Sequence, residues 1–171
     1  EAFIYISKKL GYDFNLLKEV KMINEEQRLY FVNKIKEKLW ILKNKKIAVL
    51  GLSFKPQTDD MRFAPSIDII EAFIKEGAVV EAYDPKAICE AKRIFSEKLG
   101  KLKNLKFGKS PYEVAKDADC LCFLTEWEEF KKLDFLKIKE LMHFPLIADG
   151  RNFLDKDKLL SLGFKYLGIG R

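Results

Sequence analysis

From Asp13 to about Leu42, apolar residues return at three- and four-residue steps: Leu16/Leu17, Val20, Ile23, Phe31, Ile35, Leu39 and Leu42. That spacing predicts a single helix, and Asp13 stands where it can cap the first turn. About 30 residues at 1.5 Å each make a rod of about 45 Å, longer than the flank of one domain needs. Two arrangements remain open for such a rod. It bridges domains or packs against its own copy in a dimer, or it lies wholly on the core of its own chain. The residues before it, EAFIYISKKLGYDF, also have a helical pattern.

After Lys43-Asn44-Lys45 the pattern becomes an alternation of strands and helices. Strands are expected at Ile47–Leu50, Val79–Tyr83, Leu105–Phe107, Cys120–Leu124, Leu146–Ala148 and Lys165–Leu167. Helices are expected at Pro65–Glu76, Lys86–Leu99, Pro111–Ala115, Phe135–Met142 and Asp155–Ser161. Several of the strands are continuous apolar runs, as when helices cover both faces of a sheet. Right-handed β-α-β crossovers then give an α/β fold, a Rossmann-like doubly wound parallel sheet preceded by a long α-helix. The expected division is a helical segment, 1–43, followed by a sheet domain, 44–171.

Composition narrows the classes without choosing among them. The 171 residues are 48% hydrophobic and include 14 Phe, enough for a substantial core. No apolar run approaches the ~18 residues of a membrane span, so no membrane partner is expected. The N-terminus has none of the features of a signal peptide. It also has no initiating Met and begins on a helical pattern, so the chain is read as part of a longer polypeptide. The 32 Lys and Arg against 26 Asp and Glu leave a charge of +6. These charges are interleaved along the chain with no basic stripe, which argues for a solvated surface and against a nucleic-acid partner.

Cys120 and Cys122, in the run ADCLCFL, are expected on opposite faces of their strand, out of reach for a shared metal or a disulfide. Together with Cys89 they read as small hydrophobes of a reduced, cytoplasmic protein. The single histidine, His143, has no neighbouring ligand set in the sequence and is given no role.

Chemistry concentrates in GLSFKPQTDDMRFAPS, residues 51–66, which follow the first strand. In an open parallel sheet, ligands bind beyond the carboxyl ends of the strands, near the point where strand order reverses. A dinucleotide cradle there needs three glycines so that the backbone can approach a pyrophosphate; only Gly51 is present. Asp84, at the end of the second strand, stands where such cradles carry a ribose-binding acid, but without the glycines it reads as the cap of the turn at Asp84-Pro85. The loop offers charge instead: Lys55 as a mobile ammonium and Arg62 as a planar fork for phosphate or carboxylate. Either these cations receive an anionic ligand, or they pair with Asp59 and Asp60 and merely staple the loop. The run DGRN places Arg151 on the same rim, where it meets a diphosphate together with Lys55 or pairs with Asp149.

The stretch GLSFKPQTDDMRFAPS resembles the G-L-[AS]-F-K-x-x-T-D-D-x-R-x-[AS]-P-[SA] segment of the nucleotide-sugar dehydrogenases. LGYDFNLLKEVKMINEEQ is similar to the central helix of that family. AYDPKA, LTEWEEF, DGRN and YLGIGR are further family-like stretches in the expected order, so the resemblance covers essentially the whole chain.

The resemblance implies an NAD-dependent enzyme that oxidises the C6 alcohol of a nucleotide sugar to a carboxylate by two hydride transfers through a cysteine-bound intermediate. It implies that this chain is the central helix plus the C-terminal UDP-binding domain, a homodimer through that helix, with NAD bound mainly by an N-terminal domain. The family's catalytic cysteine lies in a C-F-P-K-D-like stretch upstream of the helix. No such stretch occurs here, so no catalytic residue is expected. Phe54, Lys55 and Arg151 match substrate-binding positions, Lys55 near the phosphates. Arg62 matches an arginine that reaches the cofactor, and Asp59 and Asp60 match an acidic pair that orients Lys55 and Arg62. Phe63 departs from the family, which more often has Glu there. The TDDMR and APS segments favour the branch that converts UDP-glucose to UDP-glucuronate. The alternatives are the UDP-N-acetylmannosamine or GDP-mannose branches, or a non-catalytic nucleotide-binding or dimerisation module.

Overall fold

β1 (Lys46–Leu50) and β4 (Cys120–Phe123) lie side by side at the centre of the sheet and are buried almost throughout. Their near-continuous apolar sequence has that cause: helices cover both faces, so no position can face water. The computed structural model describes residues 2–100 and 103–170. In it, six parallel strands are ordered β3-β2-β1-β4-β5-β6, with β2 (Val79–Tyr83), β3 (Leu105–Phe107), β5 (Leu146–Asp149) and β6 (Lys165–Gly168). Strand order therefore reverses between β1 and β4, and the doubly wound Rossmann-like sheet expected from the alternating pattern is the one observed. Glu1 and Arg171, the ends of the two expected segments, lie outside the described residues, as do Lys101 and Leu102.

Alternate strand residues feed two cores. Ile47, Val49, Val80, Cys120, Cys122 and Leu146 face α3 (Pro65–Lys75), α4 (Ile88–Leu99) and the end of the long helix α2 (Asn15–Leu39). Ala48, Leu50, Leu121, Phe123 and Ile147 face α5 (Pro111–Ala115), α6 (Glu128–Lys131), α7 (Phe135–Leu141) and α8 (Lys156–Ser161). This alternation corrects the expectation for the cysteines. Residues two apart on a strand share a face, and Cys120 Sγ lies 3.7 Å from Cys122 Sγ, both buried. The short helix α6 has no counterpart among the expected elements, because four residues are too few to develop a helical period.

The helix α2, preceded by α1 (Ala2–Lys9), begins one residue later than expected. Phe14 occupies the cap position and no side chain caps it, while Asp13 pairs with Lys18. The helix ends at Leu39, where Trp40 takes φ 68° and carries the chain out of the helical turn. Its 25 residues are buried only toward the C-terminal end, at Phe31, Val32, Ile35 and Leu39. Leu16, Val20 and Ile23 are exposed. The helix therefore does not lie wholly on its own core. Its packed end is tied down by Arg28 to Asp68, by Lys36 to Glu76 at 2.9 Å, and by Lys34, which donates to the Gly168 carbonyl at 2.9 Å.

At the amino-terminal edge of the sheet, Lys45, the Lys46 backbone and His143 converge on Asp119, with His143 Nδ1 at 2.8 Å. His143 therefore has a polar partner the sequence pattern does not reveal. Among the described residues no helix is long and apolar enough to cross a membrane.

Candidate functional site

The loops that follow β1, β4 and β5 meet above the strand-order reversal. The first, residues 51–64, departs from β1 at Gly51, whose φ of 90° only glycine adopts readily. A Cβ there would lie 2.6 Å from both the backbone N and the Cβ of Thr125. The remaining glycine thus serves the close approach of the β1 and β4 loops, not the approach of a phosphate. Thr125 Oγ1 then donates to the Ser53 carbonyl at 2.6 Å and welds the two loops together.

Asp84 holds the same loop from the other side. One carboxylate oxygen accepts from the backbone N–H groups of Leu52 and Ser53 at 2.7 and 3.1 Å, from Ser53 Oγ and from the Trp127 indole; the other accepts from Lys86 N and Ala87 N at 2.9 and 2.8 Å. It caps the turn after β2, as read from Asp84-Pro85, and it also anchors the β1 loop. A carboxylate so fully engaged has no capacity left for a ribose hydroxyl. With Gly51 closed by Thr125, the loop does not fit a dinucleotide cradle. Burial, and then the negative charge of Asp84, push up the carboxyl of nearby Glu129.

Beyond Ser53 the loop folds on itself. Phe54 N donates to the Asp60 carbonyl at 2.8 Å, and Asp60 N donates to Thr58 Oγ1 at 3.1 Å. Asp60 grips Arg62 in a fork, Nη2 to Oδ2 at 2.7 Å and Nε to Oδ1 at 3.0 Å, and also accepts from the Arg62 backbone N–H. The hydrogen bonds from the Arg62 side chain and backbone hold the Asp60 carboxyl down to about 2, with the charge of Lys55 contributing. Arg62 is 83% exposed, at the outer lip of the loop. Its next neighbour Phe63 is exposed too and adopts φ 58°, a left-handed conformation uncommon for a bulky residue. Lys55 is exposed and forms no hydrogen bond or ion pair within the described residues. Asp59 is exposed at the tip.

Arg151 comes from the turn after β5. Asp149 shapes that turn, accepting from Arg151 N, Leu154 N and the Tyr166 hydroxyl. Only the backbone of Arg151 bonds to Asp149, so the guanidinium does not close a local pair with it. Instead Nε donates to the Leu124 carbonyl at 2.9 Å and Nη2 to the Phe54 carbonyl at 3.2 Å, one acceptor from each neighbouring loop. Asn152 completes the rim by exchanging hydrogen bonds with the backbone of Ile169.

Glu126, to which the sequence reading gave no role, lies beside this arginine. Its Oε2 is 3.2 Å from Arg151 Nε, whose one N–H already points at Leu124. The two groups meet as an ion pair without a hydrogen bond, and that carboxylate oxygen is buried with no hydrogen-bond partner. The signals available in the sequence were its place in the stretch LTEWEEF and its position two residues beyond Leu124, at the carboxyl end of β4.

A cavity of about 330 Å³ opens between this rim and the packed half of α2, lined by Phe31, Phe54, Phe63, Leu124, Gly150 and Arg151. It combines aromatic walls with a cation, which suits a ligand having a flat apolar part and a negative part. A wider groove of about 910 Å³ runs between α1, α2 and the start of α3. Of its charged side chains, Arg28 pairs with Asp68, Lys21 with Glu25 at 3.9 Å and Lys98 with Glu71 at 2.8 Å, around an apolar floor. The structure thus brings Phe54 and Arg151 together at this cavity, leaves Lys55, the next residue along the loop, exposed and outside its lining, and holds Asp60 and Arg62 together. Among the described residues no group of three or more His, Cys, Asp or Glu could hold a metal.

The sequence matches the UDP-glucose/GDP-mannose dehydrogenase family, UDP binding domain, over residues 48–156. It is 39% identical over 170 residues to UDP-glucose 6-dehydrogenase TuaD of Bacillus subtilis, a match spanning 99% of this chain and 36% of that protein. It is 43% identical over 130 residues to a UDP-glucose 6-dehydrogenase of Rhizobium meliloti, across 76% of this chain and 28% of that one. The fold superposes on a UDP-glucose dehydrogenase from Pyrobaculum islandicum with a TM-score of 0.81 at 26% identity, covering 98% of this chain and 35% of the other. The chain therefore spans about a third of the length of the relatives it matches. The chain therefore belongs to the UDP-glucose/GDP-mannose dehydrogenase family, and residues 48–156 match its UDP binding domain.

Proposed function

We propose that this chain is the nucleotide-sugar-holding part of an NAD-dependent UDP-glucose 6-dehydrogenase, the longer protein converting UDP-glucose to UDP-glucuronate. In this reading Phe54 packs against the nucleotide, and Lys55 and Arg151 receive the diphosphate. Arg62, steered by Asp60 with Asp59 beside it, faces the NAD held by a separate domain. The cofactor supplies hydride acceptance there; the residues of this chain bind and orient the substrate.

The observation that carries the proposal is the bridge from Arg151 to the Phe54 carbonyl. It sets one cation at the cavity mouth and joins it to the loop that presents Lys55. Charge-assisted bonds to a diphosphate from two loops give both affinity and orientation. Residues 1–43 serve as a linker and dimerisation helix, and residues 44–171 as the binding domain. The exposed apolar residues along the first half of α2 support a homodimer through that helix.

Calorimetric titration of the chain with UDP and, separately, with NAD tests the reading. UDP is expected to bind and NAD is not, because the β1 loop offers no dinucleotide cradle. NAD binding without UDP binding overturns the proposal.

A further inference from the structure

We infer that Glu126 is an internal competitor for Arg151, an anion already seated beside the guanidinium that lowers the affinity of the site for a diphosphate. The inference rests on the proposed UDP-binding reading and goes beyond it, to how tightly the site holds its ligand.

The geometry separates what positions Arg151 from what neutralises it. Position comes from two neutral backbone acceptors, the carbonyls of Leu124 and Phe54. Both belong to loops already fixed by the contact of Gly51 with Thr125 and by the bond from Thr125 to Ser53. Glu126 adds no hydrogen bond to that arrangement, since its Oε2 lies 3.2 Å from an Nε whose only proton is committed elsewhere. What it adds is charge. Glu126 is half-exposed with only its Oε2 buried, whereas Asp84 and Asp149, the fully buried carboxylates at this rim, have both oxygens bonded to donors of the surrounding loops, so their charge is compensated locally. The buried oxygen of Glu126 has no donor of its own. Arg151 is its counter-ion.

A diphosphate arriving at the free edge of the guanidinium therefore meets an arginine whose charge is already partly countered, with a carboxylate close behind it. Ligand and carboxylate compete for the charge of one guanidinium, and that competition weakens binding. Losing Glu126 does not loosen the arginine, because the two carbonyls remain. These two effects of neutralising Glu126 have opposite signs: a positioning support predicts weaker ligand binding, and a competitor predicts tighter binding. The hydrogen-bond pattern selects the second.

The test uses the whole chain with UDP and with uridine, which lacks phosphate, UDP by calorimetry and uridine by chemical-shift titration. Glu126→Gln keeps the shape and removes the charge. It is expected to lower the Kd for UDP by about three- to tenfold, the scale for a partly exposed charge near another, and to leave uridine binding unchanged. Glu126→Asp, which keeps the charge, should stay nearer to the parent chain than Glu126→Gln does. In an Arg151→Ala background the gain should disappear. UDP binding that is weaker or unchanged in Glu126→Gln overturns the inference, as does equal tightening of uridine or a gain that survives Arg151→Ala. If the parent chain itself fails to bind UDP, the proposed function falls and takes this inference with it; if UDP binds but Glu126→Gln does not tighten it, only the inference falls.

Discussion

Arg151 donates from Nη2 to the carbonyl of Phe54, a contact between residues 97 apart in sequence that joins the turn after β5 to the loop after β1. Because Nε is held by Leu124 on the loop after β4, one guanidinium ties together three strand ends. An arginine so placed can shape the rim and still present its remaining N–H groups to a ligand.

Lys55 has no partner among the described residues to give up when a ligand arrives, so its charge is available to a phosphate. Lys55→Ala should weaken UDP binding by about 1–3 kcal/mol, the range for a charge-assisted hydrogen bond. Arg62→Ala should leave UDP binding by this chain nearly intact, because its guanidinium points to Asp60 at the exposed lip. Calorimetry on both variants checks the pair; reversed effects would mean that the two cations have exchanged roles.

Asp60 offers a pH test. Its carboxyl is held down, first by the hydrogen bonds from Arg62, to about 2. A carboxyl whose folded value lies below its unfolded one contributes stability above the unfolded value and loses it as pH falls through the folded one. The Asp60–Arg62 clasp should therefore persist through mildly acidic conditions and open only near pH 2. A carbon-detected NMR titration of the Asp60 carboxyl should show this midpoint, and Arg62→Gln should return it toward the ordinary carboxylate range.

At Gly51 two costs combine in one substitution. Gly51→Ala adds a Cβ at 2.6 Å from Thr125 and forces a side chain onto a φ of 90°. Overpacking and left-handed strain together should remove roughly 2–4 kcal/mol of stability, read from urea denaturation. The same change at Gly100, where φ is also positive but nothing lies within 4 Å, should cost less.

Asp84→Asn keeps the shape of a side chain that accepts from several donors on two loops, but turns half of it into a donor facing donors. Leaving buried N–H groups unpaired should destabilise the chain by roughly 2–4 kcal/mol. Denaturant unfolding measures that loss, and UDP affinity should fall with it as the β1 loop loosens.

Self-association is tested on the exposed half of α2. Ile23 is 53% exposed and contributes nothing to the described core. Ile23→Glu should shift the chain from dimer to monomer in sedimentation while leaving its circular dichroism unchanged. A parent chain that sediments as a monomer at every concentration would remove the helix from the proposed interface.

The linear pattern was enough for the layers and the strand order class, because burial on both faces leaves its mark on every residue of a central strand. β1 and β4 read as apolar runs for that reason, and Pro65 and Pro111 mark the first turns of α3 and α5. Sheet topology pointed to the carboxyl-end loops that carry Lys55 and Arg151, and Phe54 entered only through the family resemblance. Three features needed the folded chain. Which acceptors Arg151 finds depends on loops that neighbour it only after the sheet forms. Asp13 could have capped α2, but Lys18 one turn along competes for its carboxylate, and Phe14 takes the cap position instead. Glu126 was one acidic residue among several in LTEWEEF until packing placed its Oε2 beside a guanidinium with no hydrogen bond to satisfy it. Patterns along a chain report whether a residue meets water or the core; the partner of a charge is set by distances in space, which only the tertiary structure decides.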